Sequence, residues 1–216
     1  MSSSITDVGR RSNGSFLVWW SRLFLLVGMA AIGWAVYVWV DARIYQIVQR
    51  RHLDAMVSAR NTGVPAIPQV PTTQAPVLKA PRVVAGSLLG QLEIPRIGLS
   101  VMVVEGDSAS ILRRAAGHVE GTGLPGGSGN VAIAAHRDTF FHSLRNIRNQ
   151  DVITLNTSGG SYQYEVESVG VVEPDQMDVL FDSPNPTLTL ITCYPFSYIG
   201  PAPKRFVVRA RQIPPD

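Results

Sequence analysis

Two apolar runs toward the C-terminus, TLTLITCYPF (187–196) and APKRFVVRA (202–210), read as a pair of β-strands joined by a turn-rich segment. Both are rich in β-branched and aromatic residues, and Pro195, Pro201 and Pro203 punctuate the stretch between them. If the strands pair antiparallel, the end of the first and the start of the second share one sheet edge. Cys193 and Arg205 then sit together at that edge.

The same texture extends upstream. Residues 88–94 and 99–104 read as strands, with Pro95, Arg96 and Gly98 between them. Residues 108–116 suit a short helix capped by Ser108 or Ser110, with Ile111 and Leu112 facing inward. GTGLPGGSGN (121–130) is a loop by composition, and 131–135 is a short apolar strand. One or two helical turns fit 142–147. Residues 151–156 and 162–172 alternate well around Thr157-Ser158-Gly159-Gly160-Ser161, a hairpin whose glycines can take positive φ. Seven or eight short strands with few helices predict a mostly β fold, either a closed barrel or a sandwich.

The N-terminal part has a different character. LFLLVGMAAIGWAVYVWV (23–40) holds eighteen residues without a charge. As a helix it spans about 27 Å, close to the hydrocarbon thickness of a bilayer. All four tryptophans flank or lie within this run, at 19, 20, 34 and 39, where interfacial anchors are expected. The run exceeds the usual apolar core of a signal peptide and is apolar on every face, which favours an uncleaved anchor over a leader or a core helix. Three arginines lie near each end (10, 11, 22; 43, 50, 51), so local charge does not set the orientation. The short N-terminal tail favours the N-terminus inside. The predicted organisation is a tail over 1–15, a transmembrane anchor over 16–40 and an amphipathic helix over 41–60, with Ile44, Ile47, Val48 and Met56 at helical spacing and the helix mostly solvated. A Pro-rich spacer follows over 61–86, with five of the fifteen prolines, and then the β-rich domain over 87–216.

Charge divides with this organisation. Residues 1–86 hold nine Lys/Arg against three Asp/Glu, whereas 87–216 hold ten against thirteen. The basic balance therefore belongs to the N-terminal part, and the mildly acidic domain argues against nucleic-acid binding. A single cysteine excludes an intramolecular disulfide framework and a cysteine-cluster zinc site. The four histidines (52, 118, 136, 142) lack tight metal-ligand spacing, so no metal or cofactor is expected.

A lone cysteine inside a strand is ordinarily a small buried hydrophobe. Cys193 differs in sitting at the strand's end, in a chain read as exported, where an unpaired thiol is open to oxidation. A thiol nucleophile needs a base or cation to favour the thiolate. His136 closes the strand 131–135 and His118 is its rival. His142, on a predicted helical turn, and His52, beside the membrane span, are incidental. Arg205 can donate to an oxyanion or a substrate carbonyl from the shared edge, with Arg209 and Arg211 as surface controls. Asp138 suits a turn. The local patterns of caspases and papain-like proteases are absent.

These residues resemble a known family. TLTLITCYPF followed by APKRFVVRA is similar to the active-site strands of sortases. AHRDTFF (135–141) resembles their histidine motif, and GHVEGTGLPGGSGNVAIA (117–134) the approach to it. The match covers about residues 88–212 and looks most like class D or the related class E. Ala135 stands where Gly commonly precedes the histidine. The resemblance implies an eight-stranded sortase-type β-barrel with short helices behind one N-terminal transmembrane helix. It implies a cysteine transpeptidase without a cofactor, with Cys193 as nucleophile, His136 as general acid/base, and Arg205 stabilising the oxyanion or positioning the substrate. The implied substrates are exported proteins bearing a C-terminal LPXTG-like sorting signal. The implied acceptor is an amine from a peptidoglycan precursor or a pilin lysine. The family's orientation places the N-terminus in the cytoplasm and the domain outside it. Two other readings stand beside this one: an anchored cysteine hydrolase that trims exported proteins, and an anchored binding or scaffold module with an inert cysteine.

Overall fold

The computed structural model of the chain describes residues 14–61, 83–176, 180 and 183–214. The expected tail and most of the proline-rich segment (62–82) lie outside these residues. The chain divides into two units, residues 1–41 and 42–216.

The first unit is the N-terminal part of a continuous helix, α1 (Gly14–Asn61). Every residue from 18 to 40 is exposed, including Phe24, Trp34 and Tyr37 at more than 60% each. The helix is long and apolar enough to cross a membrane, and its most apolar window buries nothing against protein.

The second unit is a closed barrel of eight strands: β1 (Leu88–Ile94), β2 (Leu99–Glu105), β3 (Ala116–His118), β4 (Asn130–Ala134), β5 (Val152–Thr157), β6 (Gly160–Val172), β7 (Thr187–Tyr194) and β8 (Lys204–Ile213). Their order around the wall is β1-β2-β3-β4-β7-β8-β6-β5. Most neighbours are antiparallel, but β2 with β3 and β4 with β7 are parallel. The β5–β6 hairpin falls where the glycine pair predicts it, with Gly160 at φ 151°. A four-residue helix, α2 (Ala109–Leu112), follows Ser108, and a 3-10 turn covers His142–Asn146.

Alternation of side chains along the strands fills the interior. Leu92 and Ile94 of β1, Val101 and Val103 of β2, Ile133 of β4, Leu188 and Leu190 of β7 and Val208 of β8 form one buried cluster with Phe141 and Leu144. A second, smaller cluster lies on the opposite face of β4, β7 and β8, where Ala132, Ile191 and Val207 meet Val119 and Leu180.

The barrel wall has a seam that the sequence reading did not anticipate. β3 is only three residues long, so it pairs β2 only from Val103 onward. The gap is bridged by Gln46 of α1, which accepts a hydrogen bond from the Met102 amide (2.8 Å) and donates to the Arg114 carbonyl (2.6 Å). Two heptads further on, Arg60 donates to the carbonyls of Ser158 and Gly159. Leu53, midway between them, is 3% exposed. The face that meets the barrel is therefore 46-53-60, and the stretch is not simply solvated. Ile44, Ile47 and Val48 are exposed.

Leu53→Ala is expected to destabilise the barrel unit by about 2–4 kcal/mol. Gln46→Ala is expected to cost about 1–3 kcal/mol, because it strands a backbone amide and a carbonyl. Thermal unfolding followed by circular dichroism reads both. Unchanged midpoints would mean that this half of α1 does not stabilise the barrel.

Candidate active site

β7 lies between β4 and β8, and its last residues set the site. In the antiparallel β7–β8 ladder Cys193 is the direct partner of Arg205. In the parallel β4–β7 ladder Ala134 pairs with Ile191, and the Ala135 amide donates to the Ile191 carbonyl at 3.3 Å. β4 ends at Ala134, two residues before His136. Thr192 fastens this corner, its hydroxyl donating to the Ala135 carbonyl at 2.7 Å.

Period-two alternation also decides which way the strand side chains face. Cys193 is two residues past Ile191, and Arg205 two before Val207. Ile191 and Val207 are buried members of the outer-face cluster, and Ala134 packs against it. The two strand residues, Cys193 and Arg205, therefore continue one outward-facing side of the wall, beyond an apolar floor. Cys193, His136 and Arg205 are half-buried, and Cys193 is a free thiol. Leu180, between β6 and β7, packs on this face. It is fully buried there, and its carbonyl accepts from the Asn130 side chain at 2.6 Å. Cys193 and Arg205 thus meet on adjacent strands at one rim of the barrel.

An aromatic group braces the exit from β7 and the entry to β8. Phe196 and Phe206 meet edge to face at 5.1 Å between ring centres, and Tyr194 stacks on Phe206 at 6.3 Å. Arg205 Nη1 donates to the carbonyls of Ala202 (3.2 Å) and Lys204 (3.0 Å).

The rival histidine does different work. His118 is 1% exposed, and both its nitrogens face acceptors. Nδ1 lies 2.8 Å from a Glu105 carboxylate oxygen, and Nε2 lies 2.8 Å from the Gly123 carbonyl and 2.9 Å from Thr122 Oγ1. Thr122 donates to the Val119 carbonyl, so its oxygen accepts from the ring. No ring nitrogen is left to exchange a proton with a substrate, and His118 serves to tie β2, β3 and the following loop. His142 donates Nδ1–H to the Arg137 carbonyl (3.2 Å), and His52 and Asp138 are exposed. Arg211, one of the two controls, forms a surface ion pair with Glu167 at 2.8 Å. Among the described residues no group of three or more His, Cys, Asp or Glu could hold a metal ion.

Sequence reasoning did not single out Thr192 or Arg137. Thr192 is one more threonine in a strand that already alternates threonines, so nothing in the run distinguishes it. Arg137 did carry a signal, as the residue directly after the candidate histidine.

The far end of the connection from His136 to β5 is pinned to the tip of β1. The Asp151 carboxylate accepts from Arg96 Nε and Nη2 and from the Arg148 amide, and Arg96 also donates to the Asn146 carbonyl. Arg96 holds the Asp151 carboxyl below the usual carboxylate range; burial opposes this, and the Arg148 amide adds to it.

The comparisons with known proteins agree with this geometry. A family model described as "Sortase domain" matches residues 92–213. The chain is 33% identical over 129 residues to sortase D of Bacillus subtilis (strain 168), covering 59% of this chain and 65% of that protein. It spans between half and two thirds of the curated relatives it matches. Among solved structures it is similar to sortase C1 from Streptococcus suis, with TM-score 0.57 and 30% identity over 61% of this chain and 75% of that one. It is also similar to a Clostridium perfringens sortase D5 transpeptidase, with TM-score 0.56 and 28% identity over 62% and 83%.

Because the folded-state pKa of Asp151 is depressed, its contribution is complete above the unfolded value, about pH 4, and is lost as pH falls through the lower folded value. Asp151→Asn should cost about 1–3 kcal/mol at neutral pH. The gap to wild type should close as pH drops below about 4 in thermal melts. A gap of constant size across that range would contradict the assignment.

Proposed function

The chain belongs to the sortase family, and from that premise we propose that it is a membrane-anchored cysteine transpeptidase acting on exported proteins. Its substrate is an extended peptide of the LPXTG kind near the C-terminus of those proteins. The acyl group passes to an amine, from a peptidoglycan precursor or a pilin lysine.

The observation that best supports this reading is the register of β7 with both its neighbours. That register pairs Cys193 with Arg205, and β4, whose chain continues to His136, pairs with the other side of the same strand. In the proposed reaction Cys193 Sγ attacks the carbonyl carbon of the threonine. Arg205 donates to the oxygen as it becomes negative. His136, protonated, gives its proton to the leaving amine as the C–N bond breaks, and a thioester remains on Cys193. The acceptor amine then attacks the thioester. His136 takes up the amine's proton, a new amide forms, and the thiolate leaves. One amide is exchanged for another, so no external energy source is needed.

The N-terminal helix suits the same role. A helix that is apolar and exposed throughout residues 18–40 suits lipid. Anchoring raises the effective concentration of enzyme beside substrates held in the same membrane. In the proposed topology the N-terminus is cytoplasmic and residues 87–216 are extracytoplasmic.

Cys193→Ala should abolish cleavage of sorting-signal peptides by the full chain, and His136→Ala should lower kcat/KM by about 10²–10⁴. Arg205→Ala should lower it by about 10²–10³, with Lys a poor replacement because it lacks the planar fork. Added amine should divert the product from free acid to amide. Retained cleavage in Cys193→Ala would overturn the nucleophile, and product insensitive to amine would make the enzyme a hydrolase.

A further inference from the structure

Arg137 reaches from the residue after His136 to the connection between β7 and β8, residues 195–203. Its Nη2 donates to the carbonyls of Tyr198 (2.6 Å) and Gly200 (3.1 Å). Its guanidinium also lies over the Tyr198 ring, 5.9 Å from the centre. Arg205 holds the carbonyls of Ala202 and Lys204 from the other side. Alternate carbonyls from 198 to 204 are thus held by two guanidiniums. Gly200 takes φ 109°, a conformation that residues with a side chain rarely adopt, so the segment has a defined shape to be held in.

Two further facts separate this arginine from an ordinary loop tie. Its Nη1 is buried without a hydrogen-bond partner, the one such side-chain atom among the described residues. A buried cationic N–H without an acceptor is costly. The connection it holds also begins two residues after Cys193 and presents Tyr198 at 47% and Ile199 at 97% exposure.

We propose that Arg137 is a positioning residue for the acyl-donor peptide. It clamps the β7–β8 connection as one fixed wall of the site that an extended peptide occupies. Arg137 acts on peptide affinity through the wall and leaves the chemical step to Cys193, His136 and Arg205. The peptide part rests on the function proposed above, whereas the clamp itself does not.

The test uses full-length chain in detergent micelles and the Arg137→Ala and Arg137→Lys variants. In Arg137→Ala, hydrogen exchange in residues 195–203 should speed up by about tenfold or more as the clamp opens. KM for a sorting-signal peptide should rise by about tenfold, with kcat within about threefold. The pH profile of Cys193 alkylation should not move. Arg137→Lys should fail to restore KM, since an ammonium cannot reproduce the planar fork across two carbonyls. Unchanged exchange overturns the clamp whether or not the wild type turns over. Faster exchange with unchanged KM overturns the role in peptide binding, as does a fall in kcat alone with a shifted alkylation profile. A wild-type chain that cleaves no sorting-signal peptide overturns the proposed function, and the exchange result then decides the clamp alone.

Discussion

Strand β7 hydrogen-bonds to β4 on one side and β8 on the other, and the site depends on the register of those two ladders. Side chains alternate across a strand, so a slip of one residue in either ladder would turn its contribution to the opposite face of the wall. In the observed registers Cys193 faces Arg205 across one ladder, and the other runs on toward His136. Backbone hydrogen bonds of a buried strand thus do the positioning, and the reactive side chains need no hydrogen bonds to one another to be held together.

The surrounding structure protects that register. Asn130, at the start of β4, accepts from the hydroxyls of Thr187 and Thr189 at the start of β7, and Thr192 closes the other end of the same pair. His118 and Glu105 lock β3 to β2, and Gln46 fills the remainder of that seam. The connection from His136 to β5 is fixed at its far end by Asp151 and Arg96. The stability of the barrel and the geometry of the site are therefore one problem.

Much of this was legible in the sequence, for identifiable reasons. β1, β7 and the β5–β6 hairpin follow from local alternation and glycine-rich turns. The meeting of Cys193 and Arg205 follows from two successive strands joined by a short connection. His136 was harder, because β4 pairs with β7 in parallel across an intervening hairpin, and no local pattern separates it from His118. Only the burial of His118 between Glu105 and Gly123 distinguishes the two. The docking of α1 was missed because its contact face is mainly polar. Gln46 and Arg60 meet backbone groups, while the apolar Ile44, Ile47 and Val48, which drew the periodicity argument, lie exposed. β3 was missed because three residues, Ala116, Gly117 and His118, carry no alternation to read.

In the proposed reaction the Cys193 sulfur carries the acyl group between donor and acceptor. Mixing the full-length chain with a sorting-signal peptide, quenching in acid and mapping the product by mass spectrometry tests this directly. The account predicts an adduct with the mass of the peptide's N-terminal fragment, attached through a thioester at Cys193 and discharged by an added amine. Peptide turnover with no adduct at residue 193, or with the adduct on another side chain, would contradict it.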